Sequence, residues 1–228
     1  MTDRLRWAEQ HLQYRFRDPA LLEQALTHRS ASTCNNERLE FLGDALLNFS
    51  VARQLYERNP TEQEGNLSRL RSSLVKGVTL AEIGRELEVA PQIVLGRGER
   101  SSGGAQRDSI LANAVEAVLG STLLDGGFEA ANALVIRLFS DRFEELPDAA
   151  SLKDAKTKLQ EWLQARGLSL PVYAVKSVLS PPHRQSFVVV CDVEGVSSTV
   201  KGEGQSRRQA EQNAAEQMLS KLDSDDRQ

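Results

Sequence analysis

Cysteine is nearly absent from this chain: Cys34 and Cys191 are the only two in 228 residues. Two distant thiols cannot build a disulfide framework or a zinc knuckle, so reduced thiols are expected. No apolar run approaches membrane-spanning length, and Met1 to Gln10 is charged throughout, without an apolar signal region. The expectation is a cytoplasmic protein with no membrane partner. A nucleotide-binding loop is missing as well. The glycine-rich stretch Gly96-Arg97-Gly98-Glu99-Arg100-Ser101-Ser102-Gly103-Gly104 lacks Gly-Lys-Ser/Thr and follows no strand pattern. It reads as a flexible loop, and no nucleotide cofactor is expected.

Positive charge is also in short supply, since the net charge is −4. That average hides a difference between regions. Ser151 to Leu222 holds ten Lys and Arg against seven Asp and Glu, a balance of +3, which leaves −7 for the rest. The excess is small, so any argument for a polyanionic partner must rest on local clusters. An apolar fraction of 40 % argues against wholesale disorder, and the length suffices for one large domain or two modest ones.

What is present centres on Glu37-Arg38-Leu39-Glu40-Phe41-Leu42-Gly43-Asp44-Ala45-Leu46-Leu47. In a helix each residue turns by about 100°, so Glu37, Glu40 and Asp44 fall in one narrow stripe while Leu39, Leu42 and Leu46 lie behind it. Carboxylates crowded on a mostly buried helix repel one another and take up protons unless a cation sits among them. A hard divalent ion such as Mg²⁺, which takes oxygen ligands, answers that need. The bland alternative is an acidic stripe facing solvent, which would have lysines and arginines interleaved; Arg38 points elsewhere.

A second segment, Ile110 to Gly120, is apolar apart from Asn113 and Glu116, which lie side by side at a spacing of three. Two oxygen-bearing side chains in so apolar a helix need a partner. They form either a satisfied buried pair or the other half of an oxygen cluster.

With Leu26-Thr27-His28-Arg29-Ser30 ahead of it, Asn36-Glu37-Arg38-Leu39-Glu40-Phe41-Leu42-Gly43-Asp44 resembles the signature of bacterial ribonuclease III. The resemblance implies a Mg²⁺-dependent endoribonuclease, with Mn²⁺ as a substitute, that acts as a homodimer on double-stranded RNA in rRNA and mRNA precursor processing. It implies 5′-phosphate and 3′-hydroxyl ends with a short 3′ overhang. It assigns Glu37, Glu40, Asp44, Glu64 and Glu116 to the acidic site, with Glu40 and Glu116 the most direct metal ligands. Phe41 matches a residue that plugs a socket in the partner subunit. Asn113 departs from the pattern: an amide stands where the family usually has aspartate, which removes one negative charge from the ligand shell. A double-stranded RNA-binding regulator that no longer cuts is therefore the alternative reading. A metal-free acid and base pair ranks last, because nothing would stabilise the charge on the phosphate.

The remaining sequence divides at Glu144-Glu145-Leu146-Pro147-Asp148-Ala149-Ala150-Ser151, a polar, proline-containing stretch. Residues 1–145 are expected to be all-α, with helices over Leu5 to Gln13, Pro19 to Leu26 (Asp18 as N-cap), Glu37 to Tyr56, Glu62 to Gly77, Leu80 to Leu87, Ser109 to Gly126 and Phe128 to Phe143. Thr61 and Glu64 have the spacing of a capping box. Histidine 28 reads as a packed or hydrogen-bonded side chain and Arg29 as half of a salt bridge. After a linker at 146–152, residues 153–222 show a helix, three strand-like runs (Val172 to Leu179, Ser186 to Glu194, Val196 to Glu203) and a final helix, with a disordered tail at 223–228. This α-β-β-β-α order resembles a double-stranded RNA-binding domain. The resemblance implies RNA contacts from Thr157, Gln160 and Glu161 on the first helix, His183 in the first hairpin, and Ser206, Arg207 and Arg208 where the last helix begins. Glu211 falls where such domains commonly have a third lysine.

Overall fold

The computed structural model describes residues 2–149, 151–179, 186–196 and 199–225. The chain divides into two compact units, Met1–Leu152 and Lys153–Gln228.

The first unit is helical: α1 (Asp3–Trp7), a turn of π-helix (Ala8–Leu12), α2 (Pro19–Ala25), α3 (Glu37–Arg58), α4 (Glu64–Leu74), α5 (Gly77–Glu86), α6 (Arg97–Ser101), α7 (Asp108–Leu138) and α8 (Ser140–Glu144). Asp18 caps α2, its carboxylate accepting from the Ala20 amide at 2.9 Å. The core forms where α3 meets α7, with Leu47, Val51 and Leu55 of the former and Leu111, Val115 and Leu119 of the latter buried. The two helices expected over 109–143 are joined across Gly127, whose φ of 81° breaks the run.

Two expectations are corrected in this unit. The Thr61 and Glu64 capping box does not form, because α4 starts at Glu64 and Gln63 takes the cap position without a side-chain bond. The glycine-rich stretch is not a flexible loop but carries α6 and a 3-10 turn at Gly104–Gln106, tied by the Arg107 to Glu99 ion pair. Within residues 146–152, Ala149 is buried, and Leu146 and Leu152 pack against the first core.

The second unit has α9 (Ala155–Ala165), β1 (Val172–Leu179), β2 (Ser186–Asp192), β3 (Val200–Gly204) and α10 (Arg207–Asp225). The strands form one antiparallel sheet in the order β1-β2-β3. Leu159 and Leu163 of α9, Cys191 of β2, and Ala214, Ala215, Met218 and Leu222 of α10 make its core. In β2, Val189, Val190 and Cys191 are buried in succession. The last helix continues to Asp225, so Asp223 to Asp225 are helical rather than part of a tail. Its first turn packs tightly on β3: a Cβ on Gly202 would lie 2.2 Å from the Ala210 carbonyl oxygen.

Candidate functional site

The acidic residues are brought together by two glycines. A Cβ added to Gly43 would sit 1.8 Å from the Glu116 carbonyl oxygen, and one added to Gly120 would sit 2.1 Å from the Leu39 carbonyl oxygen. At this crossing α3 and α7 touch backbone to backbone, and any side chain would force them apart. Glu40 and Asp44 lie within a turn of Gly43, and Glu116 and Asn113 within two turns of Gly120. Close approach of the helices thus becomes close approach of the carboxylates.

Electrostatics records that proximity. Burial pushes the Glu116 carboxyl up to about 7, and the charges of Asp44 and Glu40 add to the shift. Burial likewise raises Glu40, followed by the charge of Glu37; the Asn113 amide donates a hydrogen bond to Glu40 and pulls the other way, as does Arg29. Glu37 is itself paired, its Oε1 lying 3.4 Å from Arg29 Nη1. His28 Nδ1 is 2.8 Å from Ser30 Oγ, and it lines with Glu37, Glu40 and Asn113 a cleft of about 270 Å³ beside the cluster. Among the described residues, no three His, Cys, Asp or Glu side chains close on a single ligand point. The cluster is a neighbourhood of mutually felt charges, all hard oxygen donors, with too little positive charge among them.

Glu64 stands apart from these. It accepts a hydrogen bond from Ser68 Oγ at 2.8 Å and lines a different cleft, of about 430 Å³, with Phe49, Tyr56 and Arg71. That cleft borders an apolar stripe on α3. Phe41 is 79 % exposed, and Phe49 and Tyr56 are exposed too. At about 100° per residue the three fall on one side of the helix, so their spacing could have marked Phe49 and Tyr56 in the sequence.

In the second unit, Thr157 and Gln160 of α9 and Arg208 of α10 line a common cleft of about 370 Å³. Glu161 points into a pair with Lys153 at 2.6 Å rather than into that cleft. Ser206 caps α10, its Oγ accepting from the Gln209 amide at 3.2 Å. Arg207 and Arg208 then place two cations at the positive end of a helix, where they oppose the dipole and favour an incoming anion. His183 lies outside the described residues. Lys156 and Glu211, which the sequence reading gave no positive role, turn out to be partners at 2.6 Å.

Comparison with known proteins shows similarity across both units. A family model described as Ribonuclease-III-like matches residues 18–142, and one for the double-stranded RNA binding motif matches residues 155–222. A curated relative named Ribonuclease 3, from Alkalilimnicola ehrlichii, is 54 % identical over 215 residues, 94 % of each chain. The Ribonuclease 3 of Vibrio cholerae is 49 % identical over 97 % of this chain and 99 % of its own. Among solved structures, the nuclease domain of ribonuclease III from Campylobacter jejuni is similar with a TM-score of 0.60 at 39 % identity, covering 64 % of this chain and all of that one. These similarities favour an enzyme that cuts over a regulator that only binds. The chain belongs to the ribonuclease III family of double-stranded-RNA endoribonucleases.

Proposed function

We propose that this protein is a Mg²⁺-dependent endoribonuclease, with Mn²⁺ as a substitute, that cuts duplex RNA to 5′-phosphate and 3′-hydroxyl ends with a short 3′ overhang. The reading includes a cytoplasmic setting and the processing of rRNA and mRNA precursors. The observation that carries it is the gathering of Glu40, Asp44 and Glu116 from two helices at a glycine crossing, with Glu116 raised to about 7.

Glu40, Glu116 and the Asn113 side-chain oxygen would hold the cation, with Asp44 beside them. A divalent ion bound there supplies Lewis acidity, a water of lowered pKa and neutralisation of charge on the phosphate. Asn113 orients the Glu40 carboxylate by donating to it, and its neutral amide leaves the shell with one charge fewer than an aspartate would give. Arg29 fixes Glu37 at the rim of the cleft and offers a positive charge near the path of the scissile backbone.

Residues 1–145 form the nuclease domain on this reading, and residues 153–222 grip the duplex. Thr157 and Gln160 face ribose hydroxyls in a minor groove, and Ser206, Arg207 and Arg208 face phosphates. Glu161 is a rim contact reached once it leaves Lys153. The exposed stripe of Phe41, Phe49 and Tyr56 supports a homodimer joined through α3, for an apolar patch of this kind marks an interface. Glu64 borders that stripe, and its role in the acidic site rests on the family resemblance.

Incubation of a long RNA duplex with Mg²⁺, Mn²⁺, Ca²⁺ or EDTA tests the reading. Short duplex products with the first two and intact RNA with EDTA are expected. Cleavage that persists in EDTA, or RNA left whole under every condition, overturns it.

A further inference from the structure

An acid is set inside the basic edge of the second unit. Glu211, one turn into α10, has a side chain only 12 % exposed; its Oε2 accepts from Lys156 Nζ at 2.6 Å and its Oε1 from Arg207 Nε at 2.8 Å. The Lys156 hydrogen bond holds its carboxyl below the ordinary glutamate range against the opposing pull of burial. Lys156 is fixed from two further sides. Its ammonium lies 4.5 Å from the centre of the Tyr173 ring, and its backbone amide donates to Gln212 Oε1 at 3.2 Å. Two consecutive residues of α10 therefore grip the first turn of α9.

What this junction separates is informative. Thr157 follows Lys156 directly and Gln160 lies a turn beyond, both in the cleft that Arg208 borders from the other helix. The A-form duplex presents its ribose hydroxyls and its flanking phosphates at offsets that B-form DNA does not share. A surface that reads shape must hold its two sets of contacts at a fixed offset.

We propose that Glu211 is a positioning residue for duplex recognition: by clamping Lys156 and Arg207 it sets α9 against the arginine-bearing end of α10 and so lets the unit distinguish an RNA duplex from a DNA duplex. The inference rests on the reading of this cleft as the RNA surface. It requires no contact between the carboxylate and RNA. Charge alone makes the opposite forecast, because removing an acid from a phosphate-binding edge strengthens binding to any duplex. Lys156 and Arg207 are 35 % and 66 % exposed, so they keep a route to water and removing Glu211 leaves no buried unpaired ion.

The test uses the full chain in EDTA, so that nothing is cut, and measures binding to an RNA duplex and a DNA duplex of matching sequence over a range of salt. In Glu211→Ala the RNA-over-DNA preference falls by about tenfold, a loss of about 1.4 kcal/mol, while DNA binding is unchanged or stronger. Glu211→Gln, which keeps the size and part of the bonding, falls between. Lys156→Met cuts the same tie from α9 and lowers the preference in the same way, which guards against a misfolded first variant. A preference within about twofold of wild type in both Glu211→Ala and Lys156→Met overturns the inference, as does equal strengthening on both duplexes. A wild-type chain with no preference for RNA would instead overturn the underlying reading of the cleft.

Discussion

The two units handle charge in opposite ways. In the first, like charges are pressed together where water is partly excluded, and Glu116 responds by holding its proton up to about 7. In the second, cations stand at an exposed helix end, and the acid among them is paired at both oxygens. The contrast follows from the tasks. Chemistry on a phosphodiester needs a preorganised charge deficit that a metal can fill, whereas a grip on RNA needs cations that can reach the polyanion at little desolvation cost. One site is assembled by a helix crossing that admits no side chain, the other by hydrogen bonds between two side-chain layers.

Breaking the crossing should have the largest effect. Gly43→Ala places a methyl against the Glu116 carbonyl, and the helices must separate. Duplex cleavage should drop by about 100-fold, with stability lowered by about 1–3 kcal/mol and RNA binding in EDTA little changed. Full cleavage by this variant would show that the spacing of α3 and α7 is not what sets the site.

The grip responds more gently. Arg208→Ala should weaken duplex binding several-fold and reduce the slope of log affinity against log salt by about 1, with single-turnover cleavage at saturating enzyme unchanged. Titrations at four or five salt concentrations settle it, and an unaltered slope would remove Arg208 from the phosphate contacts.

The smallest effect lies in metal-free stability. The folded-state value of Glu116 is raised to about 7, so the fold favours its protonated form. That contribution is fully present below the unfolded value and is lost as pH rises through about 7. Solvent screening of this partly exposed group holds the change to about 1 kcal/mol. Glu116→Gln removes it, so urea unfolding in EDTA should show the variant gaining on wild type between pH 5 and pH 8. The same variant should lose its stabilisation by added Mn²⁺. A wild type that gains on the variant as pH rises would reverse the sign of the argument.

Much of the first unit could be read without coordinates, because the 3.6-residue repeat fixes which side chains share a face. Glu37, Glu40 and Asp44 on one stripe, Asn113 beside Glu116, and Asp18 as the cap of α2 all follow from local spacing. The same rule could have grouped Phe41 with Phe49 and Tyr56. The capping box at Thr61 and the loop at 96–104 went differently because a local pattern competes with packing: Gln63 takes the cap of α4, and Arg107 draws Glu99 into a folded segment.

The amino-acid sequence alone determined most helices of the first unit, the α-β-β-β-α order of the second and which residues share a helix face. Only the tertiary structure decided how much those residues feel one another. Proton affinity depends on burial and on distances across separate helices, which is why the rise at Glu116 required the Gly43 and Gly120 contact to be seen. The pairing of Glu211 with Lys156, which lie 55 positions apart in the chain, is of the same kind. Periodicity is written locally, whereas juxtaposition is created when the chain folds back on itself.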